Sequence, residues 1–363
     1  MTEQTTQSVS MEALLNILID QRGSDLHLLV DSPPTIRVNG ELTALPNFPP
    51  LTIEATKRLV ASLMTIEQIE YINANKELDF GYQYKGLGRF RVNVYQEKGQ
   101  IAAALRLIPA EIMSIDKLGL PDVFHQFTKF SQGLILVTGP TGEGKSTTLA
   151  AVIDEINRTR REHIVTIEDP IEFIYKPNKS LISQRELNRD THSWNMALRS
   201  VLREDPDVVL IGELRDYDTI ASAITIAETG HLVLGTLHTS TAAQTVDRII
   251  DVFPSHQQDQ VRTQLASTLS LVASQRLVPR ADNSGLQAVF ELLIANSATR
   301  NLIRENKTHQ IDNVIQTSAE EGMMLMETNL ASLVNQGVIS REKALRAAMR
   351  PNVLIRLLGN QES

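Results

Sequence analysis

Apolar and polar positions change their period along this chain, and the change divides it into two parts. The first ten residues, MTEQTTQSVS, are polar and predict a frayed end. Ser10 then stands as an N-cap before Leu14, Leu15, Leu18 and Ile19, an apolar stripe with helical spacing. SDLHLLV reads as a strand. A turn at Pro33–Pro34 leads into TIRVNGEL, whose alternation around Asn39–Gly40 predicts a hairpin. A helical stretch from Ile53 to Asn75 is followed by three more strand-like segments, ELDFGYQY, GRFRVNVYQEKG and QIAAALRLIP. Strands, helix and strands in this order predict a small α+β domain ending near Pro109.

Beyond a punctuated stretch from Ala110 to Pro121 the pattern is different. GLILVTG, HIVTIE, DVVLIGEL and HLVLGTLH are almost uniformly apolar and alternate with helical or loop segments. Strands of that kind are buried on both faces, which predicts a parallel sheet flanked by helices. The tail from Ala298 reads as helical, with breaks at Gly322 and Gly337 and a cap at Ser340. The expected division is residues 1–112 for the small domain, 113–120 for a linker, and 121–363 for an α/β domain that turns helical from 298. Met323, Met324 and Met326 are expected in the core of that tail.

Composition narrows the classes. The chain has 363 residues, room for about two domains. Its formal net charge of -8 argues against a surface that coats nucleic acid. It has no cysteine, which excludes disulfides and thiolate zinc sites and fits a reducing compartment. No signal-peptide pattern and no run of about 18 apolar residues is present, so neither secretion nor membrane insertion is expected. The expected location is cytoplasmic.

Gly139, Pro140, Thr141, Gly142, Glu143, Gly144, Lys145 and Ser146 match G-x-x-x-x-G-K-[ST], the phosphate-binding loop pattern, between an apolar strand and a helix-forming stretch. Backbone amides of such a loop turn inward to hold phosphate oxygens, and the helix N-terminus, which includes Thr147, adds its dipole. Lys145 supplies a point charge toward the β- and γ-phosphates of ATP, and Ser146 a hydroxyl for Mg²⁺. Glu143 puts a carboxylate inside an anion-binding loop, so its side chain is expected to point outward.

Further blocks occur in one family's order. TIEDPIE (Thr166 to Glu172), DVVLIGELRD, GHLVLGTLHT (Gly230 to Thr239), GSDLHL, GRFRVN and ISQREL together resemble the secretion and type IV pilus motor ATPases. ATRNLIRE (Ala298 to Glu305) is similar to the A-I-R-N-L-I-R-E signature of that family's retraction branch, called PilT. It departs at Thr299, where the signature has Ile, losing apolar contact and adding a hydroxyl that needs a partner. The resemblance implies a RecA-like ATPase core with a PAS-like N-terminal domain and a helical C-terminal part. It also implies a hexameric ring that hydrolyses ATP to retract a type IV pilus, docked on an inner-membrane platform protein.

The resemblance assigns roles as well. Glu168 closes an apolar strand, where a carboxylate can orient and deprotonate water, and is implied as the base. Glu213 is implied as the group that reaches Mg²⁺ through water; the two tasks could be exchanged. His238 is implied as a γ-phosphate sensor, whereas His231 reads as structural. Arg89 and Arg91 share one strand face and are implied as arginine fingers to a neighbouring subunit's nucleotide. Arg199 and Arg203, spaced i and i+4, mark either a subunit boundary or plain surface. His27 reads as half-exposed strand and Trp194 as packing. Assembly and secretion motors of the superfamily usually carry a four-cysteine zinc element and an added N-terminal domain, which counts against that alternative. An accessory retraction subunit working with a paralogue is a further alternative, and a nucleic-acid translocase is disfavoured by the acidic balance.

Overall fold

The computed structural model describes residues 9–38, 40–85, 88–108 and 111–359. The polar tip at 1–8, Asn39 of the expected turn, and Pro109 and Ala110 lie outside the described residues. The chain forms two compact units: one runs to Glu111 and includes Asp169–Ile174, the other comprises Ile112–Glu168 and Tyr175 onward.

In the first unit, helix α1 (Met11–Asp20) starts where Ser10 accepts the Ala13 amide at 3.2 Å, and Leu14, Leu15 and Leu18 are fully buried. Strands β1 (Asp25–Leu28), β2 (Thr35–Val38) and β3 (Glu41–Ala44) follow. The expected single helical stretch is two helices, α2 (Ile53–Ala61) and α3 (Ile66–Asn75). Thr65 breaks it, forming a capping box with Gln68 that satisfies two orphan donors at the start of α3. Strands β4 (Glu77–Tyr84), β5 (Gly88–Glu97) and β6 (Gln100–Ile108) complete an antiparallel sheet ordered β3-β2-β1-β6-β5-β4. Phe90, Val92 and Val94 of β5 enter the core with Leu26, Ile36 and Leu105, while Arg89 and Arg91 alternate onto the opposite face.

The second unit begins with a short helix α4 (Val123–Phe127). It continues through β7 (Gly133–Thr138), α5 (Lys145–Thr159), β8 (His163–Glu168), β9 (Leu181–Glu186), α6 (Trp194–Val201) and β10 (Val208–Ile211). Then come α7 (Tyr217–Glu228), β11 (Leu232–Leu237), α8 (Ala242–Asp251), α9 (Gln258–Thr268), β12 (Leu269–Pro279) and β13 (Leu286–Ile294). The sheet runs β13-β12-β7-β11-β10-β8-β9 and is parallel except for β13, which pairs antiparallel with β12. Neither β12 nor β13 was among the expected strands; the polar Ser274–Arg276 stretch interrupts the apolar run of β12. β7, β10 and β11 are buried along their whole length, as strands covered on both faces must be.

The helical tail comprises α10 (Ser297–Arg304), α11 (Ile311–Thr317), α12 (Met326–Asn335), α13 (Arg341–Ala347) and α14 (Pro351–Leu358). Gly322 and Gly337 stand between its helices, and Ser340 caps α13 through the Lys343 amide. Met326, Leu330, Ile339 and Leu354 form a small core with Val278 and Val289 of the sheet, and Met323 is buried in the main core. Among the described residues no helix is long and apolar enough to cross a membrane.

Candidate active site

The loop between β7 and α5 is shaped by its glycines and clasped from β12. Gly139 has φ +143°, and a Cβ there would lie 2.4 Å from the Gln275 carbonyl oxygen, so only glycine fits. Lys145 opens α5 and is only 8% exposed; its Nζ donates to the carbonyls of Gly139 at 2.7 Å and Pro140 at 2.9 Å. The Gln275 side chain accepts the Thr148 hydroxyl at 2.7 Å and donates to the Glu143 carbonyl at 2.6 Å, tying the loop to its own helix. The Glu143 carboxylate, expected to point outward, accepts the Leu277 amide of β12. Pairing of β12 with β7 ends at Ser274, so the Leu277 amide lies beyond the last residue of β12 paired with β7, and Glu143 supplies an acceptor. Thr141 and Gly142 are exposed, and Ser146 and Thr147 are half-exposed on the first turn of α5.

Neighbouring strands deliver the other groups. β7, β11, β10 and β8 are adjacent and parallel, so the residues after their C-terminal ends share one edge. Gly139 donates to the Leu237 carbonyl at 3.2 Å, and the Thr236 hydroxyl to the Gly212 carbonyl at 2.6 Å. Gly212 lets β10 end against β8, because a Cβ there would meet the Glu168 Cα at 3.3 Å. Glu168 is 8% exposed and accepts the Thr166 hydroxyl at 2.7 Å and the Gln184 amide at 3.4 Å. Glu213 is paired with Arg215 at 2.5 Å and with His238 Nε2 at 2.7 Å. Burial pushes the Glu213 carboxyl up, but Arg215 and then His238 outweigh it and hold it below its ordinary value. This unit therefore brings the loop, Glu168, Glu213 and His238 to one edge.

Other expected residues sit elsewhere. Arg89 and Arg91 belong to the first unit: Arg89 is buried and donates to the Ile171 carbonyl at 2.8 Å, and Arg91 pairs with Asp79 at 2.7 Å. Arg199 and Arg203 do not share a helix, since α6 ends at Val201; both are exposed. His231 bonds Thr229 and the Ile226 carbonyl, a structural role. In the tail signature, Arg300 donates to the Ala295, Ala266 and Ser267 carbonyls and so closes the end of α9. Two neighbours of the site were not anticipated. Gln275 is one, and its polarity inside a buried apolar strand is the available signal. The other is Trp194, which is packed against the core as expected, yet whose ring would lie 3.7 Å from a Cβ at Gly212.

A glycine-shaped loop with a buried lysine, placed beside carboxylates at the edge of a parallel sheet, defines the P-loop nucleotide-hydrolase class. The model of the Type II/IV secretion system protein family matches residues 37–353, and the chain belongs to that family. It is 50% identical over 315 residues to a twitching motility protein of Neisseria gonorrhoeae, covering 87% of this chain and 84% of that protein. It is 45% identical over 338 residues to the type IV pilus retraction ATPase PilT of Pseudomonas aeruginosa, covering 93% and 98%. A crystal structure of the pilus retraction motor PilT with bound ADP superposes with a TM-score of 0.89 at 46% identity, over 96% of this chain and 99% of that one.

Proposed function

We propose that this protein is a cytoplasmic ATPase motor that retracts type IV pili. The observation that carries the reading is the convergence of the clasped loop, Glu168, Glu213 and His238 on one sheet edge in a chain that aligns almost end to end with retraction ATPases. The loop amides and Lys145 hold the phosphates of ATP. The donors at hand for Mg²⁺, the Ser146 hydroxyl and the Glu213 carboxylate, are hard oxygens that suit that ion, which when bound offsets the negative charge of the phosphates. Glu213 is already engaged by Arg215 and His238, which disfavours it as a proton acceptor. Glu168 accepts from Thr166 and Gln184 and shares the sheet edge with the phosphate loop, which supports it as the group that deprotonates the attacking water. His238, whose Nε2 is hydrogen-bonded to the Glu213 carboxylate, senses the γ-phosphate.

Arg89 and Arg91 act in trans, on the nucleotide of the next subunit in a hexameric ring. Movement of the small domain against the ATPase domain about residues 113–120 turns hydrolysis into work on an inner-membrane platform protein. The test is a count of surface pili on cells whose only copy carries Lys145→Ala. Excess pili with lost surface motility are expected; bald cells would assign the protein to assembly. In purified protein, Glu168→Gln should bind ATP without turning it over, and parental turnover in that variant would remove Glu168 as the base.

A further inference from the structure

Glu291, in the middle of β13, is a fully buried carboxylate. One oxygen accepts the amide of Ala242, the first residue of α8, at 2.9 Å. The other faces Arg350 Nη1 at 3.3 Å. Arg350, the residue before α14, also bonds the buried Glu327 of α12, with its side chain at 3.0 Å and its backbone amide at 2.7 Å, and pairs with Asp312 of α11. One guanidinium therefore joins three tail elements to the sheet. Ion clusters of this kind are weak evidence for stability, since apolar replacements often serve as well. The feature to explain is what this one positions.

Ala242 lies four residues after His238. The first end of the His238–Thr241 loop is held where His238 Nε2 meets Glu213, and the second where Glu291 takes the Ala242 amide. Thr241 caps α8 through the Gln244 amide, leaving the Ala242 amide as an orphan donor that a carboxylate at a helix N-terminus serves well. We propose that Glu291 is a positioning residue for the His238 loop, and that Arg350, by holding Glu291, makes this loop answer to the packing of the helical tail. The inference rests on the ATPase reading above.

Steady-state ATP hydrolysis by the full chain tests it. Glu291→Leu removes the acceptor for Ala242 while leaving the phosphate loop intact. It should lower kcat about tenfold or more, as small displacements of catalytic groups do, with KM for ATP within about twofold. Glu291→Gln keeps an oxygen for the Ala242 amide and should fall clearly between parent and Leu. Should Glu291→Leu fail to fold, Glu291→Gln, which leaves Arg350 with Glu327 and Asp312, carries the test by itself: kcat below the parent with KM for ATP within about twofold. Parental kcat in the leucine variant, a glutamine variant as slow as leucine, or a KM that rises as kcat falls would overturn the proposal. Absence of hydrolysis by the parent protein would instead sink the ATPase reading itself.

Discussion

Thr299 allows a prediction worked from a single atom. It is fully buried in the first turn of α10, its amide bonded to the Asn296 side chain at 3.0 Å, and its hydroxyl has no hydrogen-bond partner among the described residues. The carbonyl four residues back, which a helical threonine ordinarily reaches, is that of Ala295, and it receives Arg300 Nε at 3.0 Å. A buried donor left unsatisfied costs about 1–3 kcal/mol. Thr299→Val replaces the hydroxyl by a methyl of nearly the same volume, and valine and threonine have similar helix propensities. The variant should therefore be more stable by about 1–3 kcal/mol, which in a domain of this size raises Tm by roughly 2–4 °C for each kcal/mol. Isoleucine, the residue of the retraction signature, adds a further methylene and risks overpacking, so valine is the cleaner substitution. Calorimetry of nucleotide-free protein at matched concentration measures the shift, since oligomerisation and ligand both move Tm. A valine variant that melts at or below the parent would refute the reasoning and show that the hydroxyl is bonded, for example to an internal water.

Three further outcomes are expected. Gln275→Leu should weaken nucleotide binding about tenfold, the equivalent of one or two lost hydrogen bonds, because Gln275 joins Thr148 to the Glu143 carbonyl; calorimetric titration measures it. Trp194 is the only tryptophan and lies beside Gly212, so its fluorescence should change on adding nucleotide, and an invariant emission would place the ligand elsewhere. Burial raises the Asp25 carboxyl, but bonds from Ser24 at 2.7 Å and Arg106 at 2.8 Å outweigh it and leave the group below its ordinary value of 3.8. A lowered folded value means stability fully present above 3.8 and lost as pH falls through the lowered value. Denaturant midpoints of parent and Asp25→Asn should thus differ near neutral pH and converge in strong acid.

Features written in contiguous residues were legible from the chain alone. The phosphate loop needs a strand, a glycine-rich turn and a helix in succession, and residues 133–159 provide all three. Ser10 and Ser340 announce their helices because a cap is a bond across three residues. The capping box Thr65-x-x-Gln68 was equally local, though it lies inside a stretch whose apolar spacing runs on without a break. Thr299 standing where the family signature has Ile announced a hydroxyl in need of a partner; that it finds none among the described residues came only from the packing.

Tertiary structure decided what depends on strand order and on contacts between distant residues. Glu168, Glu213 and His238 each close an apolar run, but only the order β7-β11-β10-β8 makes them neighbours, and only that order pairs His238 with Glu213. The clasp of Gln275 and Leu277 on the phosphate loop spans more than 130 residues, and it seats the Glu143 carboxylate on a strand edge that no local rule identifies. Glu291 and Arg350 are likewise far apart in sequence and share one buried cluster. Local bonds are set by spacing along the backbone; these are set by which faces pack, and that is settled by the burial of the whole core at once.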